Sequence, residues 1–386
     1  FKMAKFSMIL FIATFLAVYG GANYYLSARG WQAVSAWLPG MKRWVFMLAF
    51  WILAGTFVIG QLLFHYLPYG FANLFTIVGY YWLAILFYGV LIAFFIDLFR
   101  LADRYLHFFP TQMRKVNLVG LAAAGALTAV LAVGMWSAHH PVISHYSLSI
   151  NKQAGELKKL HIVAVSDIHL GVIMNKARLD QLVKTVNAQK ADVVLIPGDI
   201  IDENMDVYVN EKMGAVLSKI KSRYGVYACL GNHEYYSGRI PQFKRDLAKN
   251  NVIMLQDQLI EVANSVYVIG RDEYAENPYE KNAMLPLKDL TKGLDMSIPV
   301  IVMDHQPARI KEAAADKIDL LLCGHTHNGQ IWPIKYLTHK LFIDDYGYYR
   351  QGAFQTITSG GYGTWGPPLR VGNRPEILVI DVRFKK

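Results

Sequence analysis

The stretch LHIVAVSDIHLG, residues 160–171, decides the fold of the C-terminal part of the chain. Its mostly apolar beginning, residues 160–165, is typical of a buried strand that ends at Ser166-Asp167. The next apolar residues recur at i, i+3, i+4 and i+7, which predicts an amphipathic helix. They are Leu179, Leu182, Val183 and Val186. A buried strand followed by a helix is the repeating unit of an α/β domain.

The same alternation continues downstream. Residues 193–196 predict a strand that ends at Gly198-Asp199, and residues 226–230 predict one that ends at Gly231-Asn232-His233. Further strands are predicted at residues 266–269, 300–303, 320–323, 354–358 and 377–380. We therefore expect an α/β domain over the C-terminal half.

Polar motifs follow these strands where each strand ends. In open α/β sheets, sites form just beyond the carboxyl ends of the strands, so segments distant in sequence are expected to meet at one edge. Residues two apart in an extended segment point to the same side, so each Asp-x-His or His-x-His pair can face one site. The motifs are Asp167-Ile168-His169, Gly198-Asp199, Gly231-Asn232-His233-Glu234, His305 and Gly324-His325-Thr326-His327.

The residue types in these motifs indicate metal binding. Asp, Asn and His supply oxygen and nitrogen ligands, which suit manganese, iron or zinc. Two ions about 3.5–4 Å apart can hold the attacking and leaving oxygens of a phosphoryl displacement. Taken alone, most of these motifs would be better explained as ordinary turns. Their joint occurrence, in order and each at a strand end, favours a metal site.

The set of motifs resembles the calcineurin-like metallophosphoesterase superfamily over about residues 160–386. Residues 167–171 and 324–330 are most similar to a bacterial, often membrane-linked branch near the UDP-diacylglucosamine hydrolases of lipid A synthesis. The resemblance implies a four-layer α/β/β/α sandwich, a hydrolase of phosphoric esters and two divalent metal ions, for which manganese is the leading candidate.

The resemblance also implies a role for each motif residue. The implied ligands form two groups with one shared member: Asp167, His169 and His327 for one ion, Asn232, His305 and His325 for the other, and Asp199 for both. His233 would not be a ligand. It would donate a proton to the leaving oxygen or stabilise the charged transition state. A metal-bridging hydroxide would be the nucleophile.

The first part of the chain has a different composition. Hydrophobic residues make up 54% of the whole chain and charged residues 18%, but long uncharged runs are confined to the N-terminal part. A bilayer span takes about 20 apolar residues. Four segments are long enough: residues 6–26, 44–67, 74–98 and 116–138. We expect an α-helical membrane domain at residues 1–140 with four transmembrane helices, a linker at 141–159 and the catalytic domain at 160–386.

The charged loops predict an orientation. The first loop carries Arg29, Lys42 and Arg43, the third carries four basic residues, and the middle loop has none. The positive-inside rule then places the first and third loops in the cytoplasm and the catalytic domain outside it, in a multi-pass protein of the cell membrane. Lys2 and Lys5 argue for the opposite orientation.

Composition also argues against some classes of protein. The net charge is +10, but no stripe of basic residues with interleaved aromatics is present, so we expect no nucleic-acid partner. Cys229 and Cys323 each end an apolar run, which predicts buried thiols and no disulfide framework.

The leading hypothesis is a membrane-anchored binuclear phosphoesterase that acts on a phosphoester or pyrophosphate bond of a lipid-linked substrate. One alternative is a phosphodiesterase of soluble nucleotides whose helices are only an anchor. Others are a membrane sensor or transport-like protein with a regulatory phosphoesterase domain, and a metal-binding scaffold without turnover. The loop at residues 359–368, with Tyr362 and Trp365, is interpreted either as a packed turn or as the rim of a site for an apolar substrate.

Overall fold

The computed structural model describes residues 2–110, 115–273 and 284–385. The chain divides into two compact units. The first comprises Phe1–Met135 and Gly366–Pro368, and the second comprises Trp136–Trp365 and Leu369–Lys386.

The first unit is helical. Among the described residues, α2, α3 and α4 are long and apolar enough to cross a membrane, by length and composition. The first predicted span lies in α1, which is not among these three. The helices are α1 (Lys2–Trp37), α2 (Arg43–Leu62), α3 (Tyr69–Leu106) and α4 (Val116–His139), with a short 3₁₀ turn at Phe64–Tyr66.

Polar side chains inside this unit have partners on neighbouring helices. Asp97 on α3 accepts hydrogen bonds from Tyr25 Oη at 2.6 Å and from Arg29 Nε at 2.9 Å on α1. Asn23 on α1 accepts one from Trp82 Nε1 at 2.9 Å. Pairing of this kind removes the cost of placing polar groups among apolar helices, so these bonds join α1 to α3.

Helices α2 and α3 approach each other closely at a glycine. A Cβ atom added to Gly79 would lie 2.5 Å from Phe57 Cα and 3.2 Å from Phe57 Cβ. Small residues at a helix crossing allow the two backbones to come together, as is common in membrane proteins. Gly55 on α2 differs, since the nearest atom to an added Cβ is 3.9 Å away.

The second unit contains two mixed sheets. In the described residues, one has the strand order β1-β12-β2-β3-β4-β5 and the other has the order β10-β11-β9-β8-β7-β6. The strands are β1 (Val142–Ile150), β2 (Lys159–Ala164), β3 (Val193–Pro197), β4 (Val226–Cys229), β5 (Val252–Leu255), β6 (Gln258–Val262), β7 (Val266–Gly270), β8 (Val300–Met303), β9 (Leu320–Cys323), β10 (Gly347–Gln351), β11 (Phe354–Thr358) and β12 (Glu376–Phe384).

Helices of this unit are shorter than those of the first. They are α5 (Lys176–Ala188), α6 (Met205–Asn210), α7 (Gly214–Leu217), α8 (Asn232–Tyr236), α9 (Ile240–Lys249), α10 (Leu287–Leu290), α11 (Ile310–Ala315) and α12 (Lys335–Leu341). Helix α5 buries the four apolar residues of the predicted stripe, Leu179, Leu182, Val183 and Val186.

A single apolar cluster joins the two sheets. It contains Ile162 and Leu195 of the first sheet together with Ile301 and Leu322 of the second, all fully buried. Burial of such side chains stabilises the domain by about 1.5–3 kcal/mol each. The two cysteines are buried free thiols, as predicted: Cys229 lies in this cluster, and Cys323 lies in another apolar cluster with Ile269 and Val302.

All strands predicted from apolar runs are present. The prediction missed β1, β5, β6 and β10. Strands β6 and β10 lie at the sheet edges and keep polar residues exposed, so neither forms a continuous apolar run.

Strand β1 lies within residues 141–159, which were predicted to be a linker. It pairs in parallel with β12, with Val142 opposite Glu376 and Ile150 opposite Phe384. Its second half alternates Tyr146, Leu148 and Ile150 with serines, and the apolar side chains face the core. The alternation was visible in the sequence, but it is short and polar enough to be typical of a linker.

Parallel pairing places the functional motifs at one edge of each sheet. Strands β2, β3 and β4 are parallel neighbours, and so are β8 and β9. Their carboxyl ends therefore point the same way within each sheet. Each predicted motif directly follows one of these ends.

We expect Gly79→Ala to destabilise the helical unit by about 1–3 kcal/mol, since the added methyl group overlaps the α2 backbone. The measurement is the unfolding midpoint of the detergent-solubilised protein. Gly55→Ala is the matched control, because both changes raise helix propensity but only Gly79 lies at the crossing. Equal midpoints for the two variants would contradict the close crossing.

Candidate metal centre

Asp199 lies at the centre of the candidate site. It follows β3 and is 2% exposed. One carboxylate oxygen, Oδ2, is 3.1 Å from His305 Nε2 and 3.8 Å from His169 Nε2. The other, Oδ1, accepts a hydrogen bond from the backbone N–H of His233 at 2.9 Å. Asp199 therefore contacts side chains from both sheets.

One group of side chains lies on the His169 side of Asp199. His169 Nε2 and His327 Nε2 are 3.0 Å apart, and His327 Nε2 is 3.4 Å from Asp167 Oδ1. Each of these three residues offers a ligand atom, and the three atoms lie within 4.8 Å of one another. Nitrogen and oxygen atoms that bind one transition-metal ion at about 2.0–2.2 Å are separated by comparable distances.

A second group lies on the His305 side. His325 Nδ1 is 3.0 Å from Asn232 Oδ1 and 3.3 Å from His305 Nε2, and His305 Nε2 is 3.2 Å from Asn232 Oδ1. His305 Nδ1 lies 3.0 Å from the carbonyl oxygen of Pro197. A proton donated to that carbonyl leaves Nε2 with a lone pair directed at the site.

The structure thus brings all eight predicted site residues together. It separates them into the two groups expected from the motifs, with Asp199 between them. His233 also lies beside His169 and Asp199 at a distance that permits a ligand role, so geometry alone does not distinguish it from the ligands.

Backbone conformation is unusual at the same positions. Asp167, His169, Asp199, His325 and His327 all have positive φ angles, between 51° and 71°. A non-glycine residue in this region costs about 1–3 kcal/mol and is found mainly at functional sites. This backbone conformation occurs in three chain segments, after β2, β3 and β9, and turns their side chains toward one point.

Glycines beside these residues allow the close approach. Gly198 has φ of 80°, and an added Cβ would overlap the His305 ring. An added Cβ at Gly324 would overlap Asp167 Oδ2 and Ser166. A larger residue at either position would therefore separate the strands at the site.

Burial and neighbouring carboxylates have opposite effects on the pKa values of the histidines at the site. Burial lowers the pKa of His169 to about 3 and that of His325 to about 4, so both imidazoles are neutral near pH 7. Burial opposes protonation of His305 too, but the Asp199 carboxylate raises the pKa of His305 well above its usual value. The local field therefore favours positive charge between Asp199 and His305.

His233 has a carboxylate partner that the sequence analysis did not single out. Asp202 Oδ1 lies 3.2 Å from His233 Nδ1. Burial lowers the pKa of His233, but Asp199 and Asp202 outweigh it and raise the pKa to about 9. The only sequence signal for Asp202 is a second carboxylate three residues after Asp199.

Glu234 holds two of the motif loops together. Its buried carboxylate accepts hydrogen bonds from the backbone N–H groups of Gly231 at 2.7 Å, Asp199 at 3.0 Å, Ile200 at 2.8 Å and Ile201 at 3.0 Å. These bonds orient the loop after β3 against the start of α8. In the sequence Glu234 stands within a motif, but nothing there predicts this role.

Arg370 is a further residue that the sequence did not reveal. It is fully buried and donates to the carbonyl oxygens of Gly360 at 2.7 Å and Gly363 at 2.6 Å. The same loop pairs with the Asp167 segment, since Gly363 N–H donates to the Asp167 carbonyl at 2.7 Å. Arg370 thus supports Asp167 through the glycine loop.

The two aromatic residues of that loop have different environments. Tyr362 is buried, while Trp365 is 53% exposed with its ring 6.2 Å from that of His233. Tyr236 is 63% exposed, and its ring is 5.3 Å from that of His233. Trp365 and Tyr236 therefore flank His233 at the surface, whereas Tyr362 belongs to the packed interior.

These side chains fit a pair of divalent cations. Asp167 Oδ2 is buried and has no hydrogen-bond partner among the described residues. The His169 and His327 nitrogens face each other at 3.0 Å. A buried carboxylate oxygen without a donor and lone pairs directed at one another are both satisfied by a bound cation.

Residues 160–329 match the family model of the calcineurin-like phosphoesterases. An uncharacterised metallophosphoesterase of Bacillus subtilis is 31% identical over 256 residues, which cover 61% of this chain and 89% of that protein. One from Aquifex aeolicus is 29% identical over 248 residues, covering 62% of this chain and 94% of that protein.

A relative in Bos taurus is named a transmembrane protein with metallophosphoesterase domain. It is 30% identical over 288 residues, which cover 70% of this chain and 63% of that protein. The chain therefore spans less than two thirds of the length of this relative.

We expect Glu234→Gln to lower the midpoint of thermal unfolding and the amount of bound metal. The glutamine side chain would turn its NH₂ group toward some of the backbone N–H groups that now donate to the carboxylate. The loss of these charge-assisted hydrogen bonds should cost about 3 kcal/mol. The measurements are a thermal melt and the metal content of the purified protein. Glu261→Gln on β6, an exposed carboxylate, is the matched control. Wild-type metal content and midpoint for Glu234→Gln would contradict the role assigned to Glu234.

Proposed function

The chain belongs to the calcineurin-like phosphoesterase family, and we propose that it is a membrane-anchored, binuclear metal-dependent phosphoesterase that hydrolyses a phosphoester or pyrophosphate bond of a lipid-linked substrate. The observation that carries the proposal is the convergence of eight polar side chains, from five strand ends, on the buried Asp199 carboxylate.

In this proposal Asp167, His169 and His327 hold one cation. Asn232, His305 and His325 hold the other, and Asp199 contacts both. Two bound divalent cations would polarise the phosphoryl oxygens and lower the pKa of a water molecule toward neutrality. The donor types suit manganese first, with iron or zinc as alternatives.

His233 would act on the leaving group. Its ring lies beside that of His169 and near the exposed rings of Tyr236 and Trp365. A protonated imidazole there can donate a proton to the departing oxygen. Asp202 would orient the ring through Nδ1 and stabilise its protonated form, so the other ring nitrogen faces the substrate.

Tethering supports a lipid-linked substrate. The described residues include three helices suited to cross a membrane, and a relative is named a transmembrane protein. We infer that α1 supplies a fourth span and that the catalytic domain lies outside the cytoplasm, as the charged loops indicate. Exposed Trp365 and Tyr236 offer an apolar rim for such a substrate.

The fold supports the family architecture. Two mixed sheets share one apolar cluster, and helices connect their parallel strands. We infer a four-layer α/β/β/α sandwich, which places the carboxyl ends of both sheets at the metal centre.

The test is phosphate or phospho-headgroup release by the full-length protein, purified in detergent with Mn²⁺. The panel holds lipid-linked phosphates, lipid pyrophosphates, nucleotide-activated lipids and soluble nucleotides, with Asp199→Ala as the blank. We expect metal-dependent turnover confined to a lipid member.

Turnover of soluble phosphodiesters alone would reduce the helices to an anchor. A fragment used to examine that alternative should begin before Val142, because β1 belongs to the catalytic sheet. Absence of metal-dependent turnover on every member would favour a regulatory or scaffolding protein.

We expect Asp202→Asn to lower kcat by about 10- to 100-fold with little change in KM or metal content, because it acts through His233. His233→Ala should lower kcat by about 100-fold or more. Steady-state kinetics on the substrate found in the panel measure both effects.

Asp180→Asn on α5 is the matched control, since its carboxylate is exposed and its nearest basic partner, Lys219, is 3.8 Å away. Asp202→Asn with the wild-type kcat would contradict the positioning role. A loss of bound metal in His233→Ala would instead assign His233 to the ligands.

A further inference from the structure

The 332–343 segment, WPIKYLTHKLFI, follows the last ligand motif and has no part in the site described above. Its helix, α12, contains no buried residue. Ile334, Leu337 and Leu341 recur at i, i+3 and i+7 and are 36%, 57% and 67% exposed. In a soluble domain such an apolar stripe normally packs on the core. Here the stripe faces away from it.

The remaining side chains of the segment give it the composition of an interfacial helix. Trp332, Tyr336 and Ile343 are also exposed. Lys340 is exposed, and Lys335 Nζ lies 5.4 Å from the centre of the Tyr336 ring. Apolar residues, interfacial aromatics and lysines on one short amphipathic element are typical of helices that lie in a lipid surface.

Nearby acidic residues do not cancel the lysines at the surface. Asp344 and Asp345 are each 7% exposed and turned inward. Asp344 accepts a hydrogen bond from Thr358 Oγ1 at 3.1 Å, and Asp345 accepts one from Thr338 Oγ1 at 2.7 Å. The exposed face of the segment is therefore apolar and basic, which complements acidic headgroups.

The segment is fastened to the metal centre. Thr326, between two predicted ligands, donates to the Asp345 carbonyl at 2.6 Å. The Phe342 ring lies 6.3 Å from that of His325. Gly329 has φ of 70° and lets its turn pack against the backbone of Lys335 at the start of α12. Anything that binds to this segment is thus held next to His325 and His327.

We propose that the 332–343 segment is a membrane-docking surface, which inserts Ile334, Leu337 and Leu341 into a bilayer while Lys335 and Lys340 contact acidic headgroups. The docking itself depends only on this surface. Its use, to deliver a lipid-linked substrate to the metal centre, rests on the proposed function. Because the chain carries its own apolar helices, a bilayer is present at high effective concentration.

Charge favours a bilayer over a second copy of the chain as the occupant. A two-fold contact through the same face would bring the lysines of both copies together among apolar side chains. Acidic headgroups instead neutralise these lysines, and hydrocarbon receives the apolar stripe.

A fluorescent label tests the docking directly in the full chain. Cys229 and Cys323 are fully buried, so a thiol-reactive NBD dye should label an introduced cysteine selectively. Leu337→Cys and Leu341→Cys carry the dye, and Glu261→Cys and Lys190→Cys, both at exposed positions, are controls. The labelled proteins are reconstituted in vesicles of phosphatidylcholine, with and without phosphatidylglycerol.

We expect a blue-shifted emission at Leu337 and Leu341 and quenching by brominated acyl chains, but neither effect at the controls. Adding phosphatidylglycerol should strengthen the quenching, and Lys335→Gln with Lys340→Gln should remove that increase. Quenching at Leu337 and Leu341 no stronger than at the controls would overturn the proposal. A blue shift that brominated lipid does not quench would assign the surface to a second copy, and this also overturns it.

Activity separates this inference from the proposed function. Leu337→Ser with Leu341→Ser should keep turnover of bis-p-nitrophenyl phosphate in detergent. It should lower turnover of the vesicle-borne lipid substrate by about tenfold or more, since even one leucine moved into hydrocarbon favours binding by about that factor. Equal lipid turnover by this variant and the wild type overturns docking and leaves the phosphoesterase intact. No turnover of any substrate by the wild type refutes the proposed function, while the dye still reports on docking.

Discussion

Burial of the Asp199 carboxylate is the constraint around which the catalytic unit is arranged. A carboxylate withdrawn from water must be compensated by positive charge or by hydrogen-bond donors. Asp199 has one backbone donor, and otherwise faces the imidazole nitrogens of His305 and His169. The carboxylate in turn raises the pKa of His305 and of His233, so the local field favours positive charge beside it. The arrangement is therefore that of a site built to take up cations.

The fold supports this arrangement through its backbone. Five of the candidate ligands have positive φ angles, which is unfavourable for each of them locally. The Glu234 carboxylate binds four backbone N–H groups, and Arg370 holds the glycine loop against Asp167. Behind them, a cluster shared by two sheets provides the burial that offsets the strain. The strained backbone of the site therefore depends on the packing of the core beneath it.

The two units differ in which side chains they leave exposed. In the helical unit Asp97 is paired with Tyr25 and Arg29 of a neighbouring helix. The catalytic unit buries its charges at the metal centre but leaves apolar side chains exposed at Trp365 and along the 332–343 segment. Large exposed apolar surfaces on a soluble domain mark sites of interaction. Both surfaces adjoin the candidate metal centre, Trp365 through the His233 ring and the 332–343 segment through the His325 ring.

Sequence alone predicted the type of domain, the strands that bear the motifs and the eight candidate site residues that the structure brings together, because each depends on local patterns of apolar and polar side chains. It did not reveal that β1 completes a sheet from within the expected linker, since its short alternation acquires meaning only beside β12. Nor did it assign roles to Asp202, Glu234 and Arg370. Their partners are far away in the chain: His233 is 31 residues from Asp202, Asp199 is 35 from Glu234, and His327 is 43 from Arg370. The sequence motifs predicted which residues can bind metal. Only the tertiary structure decided which atoms face one another and which apolar side chains remain outside the core, because both depend on contacts between segments far apart in the chain.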